Sequence, residues 1–275
     1  MTTILPIPQT AGFSVEGLAV SLGGRPVLRG IDLALGGAGM VGLIGPNGAG
    51  KTTLLKTMMG FLSPDAGEVR FGGQGLAAWE PQALARRVGY LAQGAPCSWP
   101  MSVERVVELG RTPHLSRFGR PGAADAAAVE RAMAATGVAA LRRRPVTDLS
   151  GGERVRVMLA RTLAGCPEVL LADEPVVALD PHYQLQVMET LRQSAASGRT
   201  VVVVLHDLTL AARFCDRLVL LHGGRVMADG APEEVLTPGL LEAAYGVTVH
   251  VGRHGGELFV LPWEVSGGAG LRAAV

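Results

Sequence analysis

Short runs of apolar residues alternate with helix-type segments along most of this 275-residue chain. The apolar runs predict strands at residues 40–44, 68–71, 88–92, 169–172, 200–205 and 217–221. The segments between them predict helices at residues 52–59, 182–196 and 208–214. An alternation of strands and helices is typical of an α/β fold in which helices cover a mostly parallel sheet.

The middle of the chain has a different pattern. No strand is predicted between residues 95 and 149, where helices are predicted at 103–110 and 124–136. This pattern indicates a helical subdomain, from about residue 95 to 165, inserted into the α/β core. Near the end, two β-type runs at 247–251 and 257–261 flank a turn, and residues 263–275 are expected to form a flexible tail.

Composition limits the possible partners. The chain is 48% hydrophobic with a formal net charge of +1, which suits a large core and argues against a nucleic-acid surface of clustered Lys and Arg. Cys97, Cys166 and Cys215 lack metal or redox spacing, so free thiols in a reducing compartment are expected. No apolar run approaches the ~18 residues of a membrane span, and no secretory signal is recognisable. We therefore expect a soluble chain whose membrane role comes through partners.

The most specific motif lies between a predicted strand and a predicted helix. The segment GPNGAGKT fits the phosphate-loop pattern and has the flanking elements that this pattern requires. Its glycines allow backbone amides to surround phosphate oxygens. Lys51 is expected to contact the β- and γ-phosphates, and the Thr52 hydroxyl to complete part of a Mg²⁺ shell. The predicted nucleotide-binding residues of this loop are Gly45, Pro46, Asn47, Gly48, Ala49, Gly50, Lys51, Thr52 and Thr53.

An apolar strand that ends in two acids is the second candidate. Asp173 and Glu174 directly follow the predicted strand 169–172. Asp173 is expected to hold Mg²⁺, often through water, and Glu174 to polarise or deprotonate an attacking water. A solvated strand end beside Pro175 is the alternative for this pair alone. The phosphate loop earlier in the chain favours the catalytic interpretation.

A second Gly-containing helix start distinguishes among classes of phosphate-loop protein. The segment LSGGE, at residues 149–153, precedes a helix predicted to run through residue 163 and could bind an anion. With this segment the sequence resembles the ATP-binding cassette (ABC) family, in which it is the signature motif. The resemblance implies a P-loop NTPase core at residues 12–262 with an N-terminal antiparallel β subdomain. It also implies a head-to-tail pair of chains, with ATP bound between the phosphate loop of one and Ser150, Gly151 and Gly152 of the other.

Three further landmarks of the family follow in order. Gln93 matches the glutamine that contacts Mg²⁺ and the attacking water, and Asp180 lies in the loop that couples the two sites of the pair. His206 matches the histidine that contacts the γ-phosphate. The resemblance therefore implies Glu174, His206 and Gln93 as catalytic residues. It implies Thr52, Gln93 and Asp173 as the Mg²⁺ residues.

One landmark of the family is missing. Family members usually carry an aromatic residue that stacks on adenine about two dozen positions before the loop lysine, and the matching position here is Leu22. Ring stacking contributes roughly 0.5–1.5 kcal/mol beyond burial. We therefore expect a weaker grip on the base than on the phosphates. Phe13 is the less favoured alternative for the missing ring.

The biological role follows from resemblance. The segments LGRTPH (109–114), FGR (118–120), LHDL (205–208) and GAPEEVLTP (230–238) resemble the importer branch for iron chelates, haem and cobalamin. This implies two transmembrane permease subunits, an external substrate-binding protein and a place on the cytoplasmic face of the cell membrane. Importers of zinc, manganese or molybdate remain open, as does a soluble ABC ATPase of the iron–sulfur assembly type.

Two smaller hypotheses concern single residues. Trp99 is a candidate contact for a helix of the membrane partner, and is equally well explained as subdomain core. His250 and His254 have no third ligand spaced nearby, so a turn between two strands is favoured over a metal site.

Overall fold

A computed structural model describes residues 12–94, 100–116 and 119–266 of the chain. Its strands are β1 (Gly12–Leu22), β2 (Arg25–Gly36), β3 (Gly39–Ile44), β4 (Ala66–Phe71), β5 (Gln74–Gly75), β6 (Val88–Leu91), β7 (Val169–Ala172), β8 (Thr200–Val204), β9 (Arg217–His222), β10 (Arg225–Gly230), β11 (Val247–His254) and β12 (Glu257–Val265). Its α-helices are α1 (Lys51–Met58), α2 (Pro81–Arg87), α3 (Val103–Glu108), α4 (Ala123–Ala135), α5 (Gly151–Ala164), α6 (Pro181–Ala196), α7 (Leu208–Phe214), α8 (Pro232–Val235) and α9 (Pro238–Tyr245).

The largest sheet confirms the predicted α/β class. Its strand order is β10-β9-β3-β8-β7-β6, with β10 antiparallel to β9 and the other neighbours parallel. Every residue of β7 and β8 is buried, as expected for strands covered by helices on both faces. Because the carboxyl ends of parallel strands lie at one edge of a sheet, the loops after β3, β6, β7 and β8 meet there.

The N-terminal antiparallel sheet has the order β2-β1-β4-β5 and packs against the core beside α2. Arg87, the last residue of α2, lies over the rings of Phe71 and Trp79 at 5.0 and 5.1 Å. It also forms a bidentate ion pair with Glu168, with N···O distances of 2.8 and 2.7 Å. Arg87 therefore links this sheet to the segment that leads into β7.

The LGRTPH segment has a structural role in the helical part of the chain. It forms a 3₁₀ turn at Leu109–His114, in which the buried Arg111 pairs with Asp125 at 2.8 Å and donates to the carbonyl of Ala164 at 2.9 Å. A Cβ at Gly110 would lie 1.9 Å from a carbonyl oxygen of α5. This segment therefore joins the start of α4 to the end of α5.

The C-terminal hairpin corrects two expectations. Gly255 and Gly256, at φ 60° and 87°, form a two-residue turn, so β11 extends to the turn. His250 and His254 consequently lie on a strand, and His250 packs edge-on against the ring of Trp263 at 4.8 Å. The strand β12 runs through Val265, three residues into the segment predicted as a flexible tail, because it continues to pair with β11.

Three short helices were not predicted from the hydrophobic pattern. α2, α8 and α9 each begin with a proline, and the residues before α2 and α9, Glu80 and Thr237, cap them by accepting from backbone amides. A proline after a capping residue is a recognised helix start, so the signal was present. Within the described ranges no helix is long and apolar enough to cross a bilayer. The hypothesis on Trp99, and Phe118 of the FGR segment, lie outside the described residues.

Candidate active site

The phosphate loop connects β3 to α1 at the carboxyl edge of the large sheet. Gly45 adopts φ 143°, and a Cβ there would lie 2.1 Å from the carbonyl oxygen of Leu221, so only glycine fits. Gly50, at φ 102°, precedes the first residue of α1. The loop encloses a cleft of about 150 Å³, lined by residues 47–53 together with Val27 and Glu174. The cleft thus brings Glu174, the predicted general base, to the predicted phosphate site.

Lys51 is turned onto its own loop. Its side chain is buried, and Nζ donates to the carbonyl oxygens of Gly45 at 2.7 Å and Pro46 at 3.0 Å. Burial lowers the pKa of Lys51, and the nearby carboxylates of Glu174 and Asp173 oppose that shift. The ammonium therefore has two acceptors within its own loop and lines the cleft that phosphates would enter.

Asp173 lies at the end of β7 with 1% of its surface exposed. The Thr52 hydroxyl donates to Oδ1 at 3.0 Å, and the Tyr90 hydroxyl donates to Oδ2 at 3.1 Å. Burial raises the pKa of Asp173, and these two hydrogen bonds lower it in turn. Burial also raises the pKa of Tyr90, so that hydroxyl stays protonated and able to donate.

Glu174 is held between the two other predicted catalytic residues. Gln93 Nε2 donates to Oε2 at 2.6 Å, and His206 Nε2 lies 2.7 Å from Oε1. The backbone of Glu174 adopts φ 50°, a left-handed conformation that is rare for this residue type and is associated with functional sites. The structure thus brings Glu174, Gln93 and His206 into one cluster beside the phosphate loop.

The oxygen atoms near the loop suit Mg²⁺. The Thr52 hydroxyl and the Asp173 carboxylate are already hydrogen-bonded to each other, and the Gln93 amide presents its nitrogen to Glu174 and so retains its carbonyl oxygen. Hydroxyl, carboxylate and amide oxygens are the hard donors that Mg²⁺ takes from proteins, together with water and substrate phosphates. The predicted Mg²⁺ residues therefore fit the ion chemically.

The LSGGE segment lies apart from the loop cleft. Ser150 caps α5 by accepting from the Glu153 amide at 3.3 Å, and the Glu153 carboxylate accepts from the Ser150 amide at 2.8 Å. Gly151 is exposed, whereas a Cβ at Gly152 would lie 2.5 Å from the ring of Tyr183. Among the described residues, those lining the loop cleft include neither Ser150 nor the two glycines. One chain therefore does not unite the two predicted ATP-binding segments.

Asp180 begins α6. Its Oδ1 accepts from the amide of Tyr183 at 3.1 Å, and Ala178 before it adopts φ 60°. A cavity of about 490 Å³ separates this loop and Glu174 from α5, with Gln93 and Gly151 also in its walls. Asp180 is thus a helix cap in a single chain, and it does not line the loop cleft.

Apolar side chains lie where the family's adenine-stacking aromatic residue is expected. Leu22 ends β1 and is 43% exposed, whereas Phe13 is buried against the ring of Phe71 at 4.9 Å and is unavailable to a ligand. Val27, from β2, contributes an apolar side chain to the loop cleft. Sequence analysis missed Val27 and Tyr90. Tyr90 lies three residues before Gln93 on β6, and only the pairing of β6 with β7 brings it to the site.

Comparisons with known proteins agree with this geometry. Residues 28–177 match the family described as ABC transporter. The chain is 47% identical over 239 residues to the cobalamin import ATP-binding protein BtuD of Halobacterium salinarum, covering 86% of this chain and 60% of that protein. It is 46% identical over 248 residues to the hemin import ATP-binding protein HmuV of Streptomyces coelicolor, covering 90% and 88%.

A solved structure of an ABC transporter in an inward-facing conformation shares the fold. Its TM-score is 0.80 at 24% identity, and the match covers 94% of this chain and 98% of that one. Fold, family match and relatives agree. The chain therefore belongs to the ABC transporter family.

Proposed function

We propose that this chain hydrolyses MgATP to energise an importer of haem, cobalamin or a similar iron chelate. ATP hydrolysis is supported by the position of Glu174, which contacts both Gln93 and His206 beside the phosphate loop. The cargo class rests on the relatives named hemin and cobalamin import proteins, at 46% and 47% identity. The chain spans only 60% of the length of the cobalamin relative.

The hydrolytic step uses the groups in the cleft. Glu174 takes a proton from a water as the water oxygen bonds to the γ-phosphorus, the bond from that phosphorus to the β–γ bridging oxygen breaks, and ADP leaves with the bridging oxygen. His206 and Gln93 orient the carboxylate and the transferred phosphoryl group. Lys51 exchanges its loop carbonyls for phosphate oxygens and stabilises the developing charge. Thr52 and Asp173 would hold Mg²⁺, which when bound would supply positive charge to the phosphates.

The complete site needs two copies of the chain. Ser150, Gly151 and Gly152 lie outside the loop cleft of their own chain, and Gly151 is exposed at the start of α5. An exposed helix N-terminus can accept an anionic phosphate held by a partner. We therefore place the γ-phosphate between the loop of one copy and α5 of the other, with Asp180 at the contact between copies.

The importer needs partners that bind the cargo and span the membrane. We propose two permease subunits and an external substrate-binding protein, with this chain on the cytoplasmic face of the membrane. The cleft is built for a nucleotide, so cargo choice belongs to those partners.

Reconstitution with its native permease and binding protein tests this function. Proteoliposomes that contain the chain should accumulate haem, cobalamin or a ferric chelate only when MgATP is supplied, and Glu174→Gln should abolish uptake. Accumulation of zinc, manganese or molybdate instead would contradict the cargo class. Isolation of the chain from membranes with a soluble iron–sulfur scaffold and no permease would contradict the transport function.

A further inference from the structure

Tyr90 is the residue at the nucleotide site that the family landmarks do not explain. It lies on β6 opposite Leu171 of β7, so its ring extends beside the end of β7 towards Asp173. Its hydroxyl donates to Oδ2 of that carboxylate at 3.1 Å. The exposed Phe61 packs edge-on against the Tyr90 ring, with centroids 5.9 Å apart. The hydroxyl is thus fixed by a rigid strand and an aromatic neighbour.

The Asp173 carboxylate has one donor for each oxygen within the described chain. Thr52 donates to Oδ1 and Tyr90 to Oδ2. A carboxylate that is 1% exposed depends on such donors, because an oxygen left unpaired in a buried place carries a desolvation penalty. Together the two bonds define both the position of the carboxylate and its rotation about χ2.

The two donors differ in what happens when nucleotide binds. Thr52 is itself a predicted Mg²⁺ ligand, so its hydroxyl oxygen must serve the ion as well as Asp173. Tyr90 lies on the opposite side of the carboxylate and is free of that second task. Its bond therefore orients Asp173 through a group that does not itself bind the ion.

We propose that Tyr90 is a positioning residue of the Mg²⁺ site, which holds Asp173 in its ion-binding orientation through the phenolic hydroxyl. This inference rests on the proposed MgATP function. Groups that orient metal-ligating residues typically change metal affinity by about 10-fold to 100-fold when they are removed. The effect should appear as a loss of coupling between Mg²⁺ and nucleotide, and it should spare binding of the nucleotide alone.

Tyr90→Phe tests the proposal because it removes the hydroxyl and keeps the ring. The measurement is the Kd of a fluorescent, non-hydrolysable ATP analogue, taken in EDTA and again in saturating Mg²⁺. The ratio of the two values reports the coupling. We expect Tyr90→Phe to reduce this ratio by about 10-fold or more while leaving the Kd in EDTA unchanged. Thr136→Val, which removes a buried hydroxyl bond at the end of α4, should leave the ratio at the wild-type value.

The outcomes distinguish failure of the MgATP function from failure of the Tyr90 role. A wild-type protein with no Mg²⁺ effect on nucleotide affinity contradicts the proposed function itself. A normal wild-type ratio that is unchanged in Tyr90→Phe overturns the positioning role alone. Thermal unfolding without ligand provides the second measurement. A purely structural role would lower Tm and weaken both Kd values by the same factor, which also overturns the proposal.

Discussion

Replacing Glu174 by glutamine separates catalysis from binding at this site. The substitution keeps the volume of the side chain and one oxygen acceptor, and it removes the carboxylate charge. Because the Glu174 oxygens meet Gln93 Nε2 at 2.6 Å and His206 Nε2 at 2.7 Å, the new amide nitrogen must face one of these two groups. One hydrogen bond is therefore rearranged or lost.

Two magnitudes follow from that geometry. Losing one such hydrogen bond costs about 0.5–1.5 kcal/mol, which on its own would slow hydrolysis roughly tenfold or less. Losing a general base costs about 10²–10⁴ in rate, or roughly 2.7–5.4 kcal/mol. Nucleotide affinity should be retained or improved, because removing a negative charge from the cleft wall reduces repulsion with the phosphates. The size of the rate loss therefore distinguishes a base from a merely orienting group.

The assay measures steady-state phosphate release and, separately, the Kd of MgATP by equilibrium fluorescence. Glu130→Gln, which removes a charge from an exposed ion pair with Arg142, is the matched control and should hydrolyse ATP at the wild-type rate. A Glu174→Gln protein that binds MgATP normally and turns over within tenfold of wild type would refute the assignment of Glu174 as the base. Loss of both binding and turnover would instead make Glu174 a binding residue.

Two further substitutions test packing against matched neighbours, both by denaturant unfolding. Gly152→Ala should lose about 1–3 kcal/mol of stability, because the new Cβ would lie 2.5 Å from the Tyr183 ring, whereas Gly151→Ala has nothing within 4 Å and should be neutral or stabilising. Equal effects at the two glycines would contradict that packing. Arg87→Ala should lose about 1–3 kcal/mol with its bidentate pair and ring contacts. Arg70→Ala breaks an exposed pair and should cost about 1 kcal/mol or less, so a cost as large as that of Arg87→Ala would count against the distinction.

The hydrophobic pattern of the sequence predicted most of the strands and helices of the large sheet. The runs in β7 and β8 were predictable because strands buried on both faces have no polar alternation to confuse the assignment. The hairpin was underestimated, since Leu261 and Trp263 are apolar and exposed and so resemble neither a core strand nor a surface strand. The short helices α2 and α9 are specified by capping residues followed by prolines, which the hydrophobic period does not register.

The residues of the candidate site were predictable where they are contiguous in the sequence. They were less predictable where the pairing of strands brings them together. The phosphate loop and Asp173 with Glu174 are contiguous, so their residue types alone indicate a phosphate and cation site. Tyr90 and Val27 act through tertiary contacts, and a tyrosine or valine in a strand carries no local mark of function. Only the pairing of β6 with β7, and the approach of β2 to the loop, bring them to the site.

The side chain of Lys51 folds back onto its own loop. Its burial lowers the stability of the fold, although the same ammonium is the group proposed to bind the phosphates. Folding buries this ammonium, and the neutral carbonyl oxygens that accept from it compensate the lost hydration only in part. Burial lowers the pKa of Lys51 despite the nearby carboxylates, so removing the charge relieves a desolvation cost. Lys51→Met should therefore melt at the same or a higher temperature than wild type without nucleotide, and lose the further rise in Tm that MgATP gives the wild type. A screen that selects this chain for thermal resistance alone would thus tend to remove Lys51, the residue proposed to bind the phosphates.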